Sequence, residues 1–229
     1  MKFKTLILVL ISAFATFGQT TGRRASLTPQ QQQVDTILVE LVRTHPIQKM
    51  ASDFQGWRKN GILYLSYQSD IMPPEMASEL ALVNGRQVPV ITINPSFLLR
   101  LTNFNKVEDT KYKHLVIFHE VAHVANHLSG AAPMEPAGFK PDEAAKRATN
   151  VWKSEWYATK AEWELAKRID GKHLMAAIQK EVALYGEEKG FLEGFYKLIM
   201  GADEISNKVA LLRPTWKQIY LQELKKLKE

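Results

Sequence analysis

The sequence predicts an α+β fold: a small sheet early in the chain, a long buried helix after it, and a mainly helical second half. Three observations carry this. Two short segments, GILYLSYQ (61–68) and VPVITIN (88–94), have the alternation and β-branched content of strands. Residues 115–125 are apolar apart from His119, Glu120 and His123, and lie within a segment of helical length running to about Leu128. Residues 142–170, DEAAKRATNVWKSEWYATKAEWELAKRID, have the composition of a long helix and stop at Gly171.

In chain order, the first segment is MKFKTLILVLISAFATFG. Two lysines precede an apolar run from Leu6 to Phe17, and small residues follow at Ala13, Ala15 and Gly18. This is the layout of a secretory signal peptide (1–18), with cleavage expected after Ala15 or Gly18. The run is short for a membrane span, and no cysteine follows it to take a lipid anchor. The mature chain, 19–229, is expected to be one exported domain, periplasmic or secreted. Its N-terminal lobe, about 19–130, contains the sheet, and its C-terminal lobe, about 131–229, is helical.

Ser26 to Pro29 supply capping residues for a helix in which Val34, Ile37, Leu38, Leu41 and Val42 share one face. His45-Pro46 ends it. Between the two strands, SDIMPPEMASELALV is interrupted by Pro73-Pro74, and its 75–83 portion fits either a helical turn or a strand. Pro89 has no N–H to give to a sheet, which favours an edge or a strand start. The central helix should begin near Asp109 or Thr110 and end near Leu128, with Gly130 closing it. A loop rich in Pro and Gly, SGAAPMEPAGFKP, leads to the long helix. Beyond it, 172–229 reads as helical pieces punctuated by glycine and Pro214.

Composition narrows the chemistry. The absence of cysteine excludes disulfides and thiolate metal or redox sites. The net charge of +6 is mild, Lys2 and Lys4 would leave with the leader, and no basic stripe or nucleic-acid motif is present. Nucleic acid is therefore not an expected partner, and neither is stable membrane insertion once the leader is removed.

The chemistry concentrates in HLVIFHEVAHVANHLSG (114–130). His119 and His123 are four residues apart, so on a helix they project from one side, about 6 Å apart along the axis. Both imidazoles can then reach one ion at the usual Zn–N distance of about 2.0–2.1 Å. Glu120 is turned about 100° from His119 and borders the site, where a carboxylate can take a proton from water. This is the H-E-x-x-H arrangement, which arises by chance in a chain with this histidine content about 1% of the time. Its neighbours Leu115 to Phe118, Val121, Ala122, Val124 and Ala125 are apolar. A buried helix carrying imidazoles and a carboxylate needs partners for them, and a metal ion is the natural one.

HEVAH in this apolar setting resembles the active-site helix of zincin metallopeptidases. The likeness covers roughly residues 60–165 in outline and a few positions in detail. It implies a zincin-like α+β fold, in which a small mixed sheet lays an edge strand over the active-site helix and holds extended substrate by strand addition. VPVITINPSFL, about 25 residues upstream, lies where that edge strand would fall.

The resemblance also bears on the third ligand. His127 continues the helical series, but zincins that use a third histidine need a chain-turning glycine three residues after the second, and a histidine three beyond it. Those positions are Asn126 and Ser129. On the helix, His127 lies about 80° round from His119 and too far along the axis to complete the same tetrahedron, so a role lining the cleft fits it better. The gluzincin type takes a Glu from a later helix, in an E-x-x-[AS]-[DT]-like setting. Residues 155–159, EWYAT, resemble this: Glu155 as ligand, small Ala158 for close helix approach, and Thr159 within reach of a ligand histidine, where Asp is the commoner residue. Glu162, seven residues on and on nearly the same face, is the competitor, and His173 is a further alternative. The Trp152, Trp156, Trp163 stripe beside Glu155 reads as core.

The expected function is that of an exported zinc peptidase acting on peptide or protein. His119, His123 and Glu155 would bind Zn2+, and Glu120 would act as the catalytic general base. Tyr157, His173, Tyr185 and Tyr196 are candidates to steady the oxyanion. Two alternatives remain open on sequence: an inactive zinc-binding protein that holds a peptide or wall polymer on the same fold, and a metal-free scaffold that interacts through its Trp-rich helix.

Overall fold

Thr28 sets the start of the first helix. Its side chain accepts from the Gln31 N–H, the Gln31 side chain accepts from the Thr28 N–H, and Pro29 occupies the first helical position. The computed structural model describes residues 27–44, 48–69, 75–101, 106–135 and 144–169, together with Gln218 and Gln222. The expected signal peptide, most of the helical pieces after 170, and His173, Tyr185 and Tyr196 lie outside the described residues. No helix among the described residues is long and apolar enough to cross a membrane.

Helix α1 (Pro29–Arg43) buries Val34, Leu38 and Val42, one turn apart in succession. Helix α2 (Gln48–Lys59) follows, where no helix was expected; it is held by fully buried Phe54, with Met50, Ala51 and Trp57 half-buried around it. Strand β1 (Tyr64–Tyr67) is shorter than the 61–68 segment expected. Strand β2 (Met76–Val83) resolves the ambiguous segment as extended chain and pairs antiparallel with β3 (Arg86–Ile93). Asn84 and Gly85, with φ of 51° and 76°, form the hairpin turn between them. Two consecutive positive φ values suit the twist of a tight hairpin, and Asn-Gly is the favoured pair for it.

The sheet order is β1-β3-β2, with β1 parallel to β3. This corrects the expected strand placement. The VPVITIN segment is the central strand, and the edge strand that packs on the histidine helix is β2. Pro89 is accommodated because β1 pairs with β3 only over Val90–Ile93, so Pro89, opposite Leu80, sits where β3 is paired on one side alone.

A short helix, α3 (Pro95–Leu99), is capped by the Asn94 side chain, which accepts from the Ser96 N–H. Helix α4 (Lys106–Leu128) begins three residues earlier than expected, with Glu108 and Asp109 in its first turn, where acidic groups oppose the helix dipole. Lys113 is buried. It pairs with Asp109 at 2.9 Å and donates to the Leu98 and Arg100 carbonyls at 3.3 and 2.8 Å. This fixes the start of α4 to the end of α3 and leaves the buried ammonium with three acceptors. Gly130, at φ 75°, closes α4. Helix α5 (Ala144–Arg168) packs along α4.

The main core lies between α1, the inward face of the sheet and α4, with Leu38, Phe54, Met76, Ile91, Ile93 and Ile117 among its fully buried members. Trp152 and Trp156 on α5 are fully buried with parallel rings 6.3 Å apart, so this part of the tryptophan stripe is core. Trp163 is half-buried.

Candidate metal centre

The site forms where α4 meets α5. His119, Glu120 and His123 lie on the buried middle of α4, at 5, 4 and 5% exposure, and Glu155 on α5 is 4% exposed. The apolar residues beside them in the sequence sink this stretch of α4 into the core, and the polar groups go with it. Ala158, fully buried three residues after Glu155, leaves room for the two helices to approach.

His119 Nε2 and His123 Nε2 face each other at 3.0 Å. Glu155 closes the group: its Oε2 is 3.4 Å from His119 Nε2 and its Oε1 is 3.6 Å from His123 Nε2. These three side chains are the one group among the described residues whose nitrogen and carboxylate atoms converge as a metal site would require. A tetrahedral ion with bonds of about 2.0–2.2 Å separates its ligands by about 3.3–3.6 Å. The two Glu155 separations, each to a different carboxylate oxygen, fall in this range and the 3.0 Å between the imidazoles is a little shorter, so the group suits zinc in donor type and approximate size. A further sign is the Glu155 Oε2 atom, which is buried and makes no hydrogen bond among the described residues. A buried carboxylate oxygen left in that state is costly unless a cation meets it.

The far nitrogens of the two rings are also held. His123 Nδ1 is 2.7 Å from Ser154 Oγ, and His119 Nδ1 is 3.4 Å from Glu162 Oε2. A carboxylate oxygen accepts from a ring N–H, so Glu162 favours a proton on His119 Nδ1 and leaves Nε2, which faces Glu155, as the nitrogen available to an ion. Glu162, the sequence-based competitor for third ligand, is thus on the opposite side of the ring from Glu155. Glu120 is not part of the triangle. It lies beside it, with the Ser78 side chain of β2 among the groups that lower its proton affinity.

His127 is outside the cluster as well. Its Nδ1 accepts from the Met134 N–H at 3.2 Å, which ties the loop after α4 back onto the helix. Tyr157 is half-buried on α5, and Thr159 is fully buried. Ser154 and Ser78 went unnoticed in the sequence. Ser154 had one signal, its place immediately before Glu155; Ser78 had none, because its strand was ambiguous.

Electrostatics separate the roles. Burial pushes the His119 imidazole down, but the carboxylates of Glu162, Glu155 and Glu120 outweigh it and raise it well above its usual range. Burial lowers His123 to about 4, only partly opposed by Glu155. Burial also raises Glu155, but His123 and His119 beside it hold it below the ordinary carboxylate value. Glu120 is pushed up to about 7 by burial, against the pull of His119 and the Ser78 hydroxyl. Two carboxylates within one site therefore differ in proton affinity, the pattern expected of a charge-bearing ligand beside an acid–base group.

Comparison of the chain with protein-family models, with curated proteins and with solved structures finds no match.

Proposed function

We propose that the chain is an exported zinc-dependent peptidase with a zincin-like arrangement of site and sheet. The observation that carries this reading is the convergence of His119 Nε2, His123 Nε2 and Glu155 at 3.0–3.6 Å, with a second buried carboxylate, Glu120, beside the triangle and outside it. Three protein ligands and a separate base are the composition of a hydrolytic site; structural zinc sites are closed by four protein ligands.

His119, His123 and Glu155 hold the ion, and Ser154 and Glu162 keep the rings turned toward it. Bound there, zinc supplies Lewis acidity toward a carbonyl and makes water a stronger acid. Glu120 takes the proton of the attacking water and returns it to the amine that leaves as the peptide bond breaks. Among the described residues the outer edge of β2 is unpaired, and this supports a peptide or protein substrate in extended form, because such an edge offers N–H and C=O groups to a chain laid along it. The buried site around α4 restricts competing water near the reacting groups.

The test is cleavage of a peptide library by zinc-loaded protein, compared with Glu120→Gln. The wild type should cleave, and the variant should keep its zinc while losing activity about 10²–10⁴-fold, the usual contribution of a general base. Wild-type protein that holds zinc and cleaves nothing would favour a binding role for the same cleft.

A further inference from the structure

His119 and His123 turn toward α5, while Ile117, Val121 and Val124 of the same helix turn into the main core, and Glu120 lies on the shoulder between the two faces. The shoulder continues past Glu120. At about 100° per residue, His127 falls within about 20° of Glu120 and about 40° of His123, one turn further along the helix than His123. Glu120 and His123 are 4 and 5% exposed, whereas His127 is half-buried. This strip of α4 therefore runs from the buried site out toward solvent, and a chain that follows it inward passes His127.

The loop after α4 fixes what His127 can offer. The Ala132 N–H donates to the Asn126 carbonyl at 3.2 Å, and the Gly130 N–H donates to the His127 carbonyl at 3.0 Å. Ala132 is fully buried and Met134 belongs to the main core, so the loop is anchored on the end of the helix. From that loop the Met134 N–H donates to His127 Nδ1 at 3.2 Å. A ring nitrogen that accepts carries no proton, so the imidazole is neutral and its hydrogen is on Nε2. Burial works in the same direction, holding the ring below its usual proton affinity. Among the described residues nothing accepts from Nε2. His127 presents an oriented, uncharged N–H donor with no partner of its own.

We infer that His127 binds substrate: its Nε2–H donates to a backbone carbonyl of an extended peptide lying along this shoulder, one helical turn beyond His123. Carbonyls on the same side of an extended chain recur every two residues, about 6.6–6.8 Å apart. The helix separates His123 from His127 by about 6 Å of axis, which is nearly the same interval. A neutral donor suits an amide oxygen and makes no demand on the charge of the neighbouring side chains. The inference rests on the peptidase reading for its effect on turnover, and on peptide binding alone for its effect on the ring.

The experiment compares zinc-loaded wild type, His127→Asn and His127→Gln, using a pool of random octapeptides capped at both ends. The Asn oxygen can take the place of Nδ1 and keep the Met134 bond, but the side chain is too short to replace the Nε2–H. Gln reaches the Nε2 position with an N–H and gives up the loop bond. For the peptide that the wild type cleaves best, His127→Asn should keep its Tm and zinc content, with KM about 10-fold higher and kcat little changed. His127→Gln should melt lower yet have a KM nearer the wild type. A wild-type KM in His127→Asn would overturn the inference, and so would an equal rise in KM with a lower Tm in both variants, since that marks a packing role. A second readout needs no turnover: in zinc-loaded Glu120→Gln, the His127 Nε2–H signal in nitrogen-resolved NMR should move when the capped pool is added. An unmoved signal, or one that moves only with peptides bearing a free carboxylate, would overturn the inference. A signal that moves in a protein whose wild type cleaves nothing would uphold His127 as a binding residue and sink the peptidase reading.

Discussion

Glu162 Oε2 lies 3.4 Å from His119 Nδ1, on the far side of the imidazole from Glu155. One helix, α5, therefore grips the same ring from both nitrogens, seven residues apart along its length, and holds His123 through Ser154. Two carboxylates that look interchangeable in the sequence have different jobs. Glu155 faces the lone pair that would bind the ion, and Glu162 faces the N–H that fixes the tautomer.

The first prediction separates them. Glu162→Ala should weaken zinc binding about 10–100-fold by chelator competition yet still reach one zinc per chain at saturation. Ser154→Ala should behave similarly through His123, because a buried Nδ1 is left without its 2.7 Å partner. If Glu162→Ala instead abolishes zinc uptake, Glu162 is a ligand and the assignment of the two carboxylates is reversed.

Zinc removal should destabilise the fold. The ligands come from two helices, α4 and α5, and the ion would hold them together against two buried imidazoles and a buried carboxylate. At a free zinc concentration about 1,000 times Kd the stabilisation is about 4 kcal/mol. In a chain of this size that corresponds to about 8–16 °C in Tm. Thermal melts with and without chelator measure it, and identical melting temperatures would speak against a metal in this site.

A separate prediction concerns alkaline pH and the far side of the core. Tyr67 on β1 donates to Asp35 Oδ1 at 2.9 Å, and Arg58 pairs with the same oxygen at 2.6 Å, which joins β1, α1 and α2. Burial first, then the Asp35 charge, raises the Tyr67 phenol above its ordinary value of 10.0. The folded pKa exceeds the unfolded one, so this contribution to stability is complete below about pH 10 and is lost as pH climbs beyond it. Denaturant unfolding at pH 8 to 11 should show stability falling above pH 10, with a shallower fall in Tyr67→Phe. Equal slopes in the two proteins would remove Tyr67 as the cause.

Local chemistry was the legible part of the sequence. His119 and His123 belong to one helix, so their spacing alone places them side by side, and the apolar run around them announces burial. Glu155 was readable only through the pattern of its neighbours. Ser154 acts across elements, and no spacing along the chain encodes a contact between two helices. The edge strand was misplaced for a related reason. In MASELALV the buried pair Met76 and Leu80 is four apart, which satisfies a helix as well as a strand, and pairing with β3 decides the matter. Helix α2 escaped notice because its sequence, QKMASDFQGWRK, is mostly polar; burial of Phe54 against the core supplies what its own periodicity does not.

The measurement that bears most directly on the central claim is zinc per chain, by elemental analysis, on purified protein and on Glu155→Ala. The first should carry about one zinc and the second far less, because Glu155 contributes both the third ligand and the one carboxylate in the triangle. One zinc in both proteins would contradict the ligand set, and none in either after reconstitution would contradict the metal centre itself.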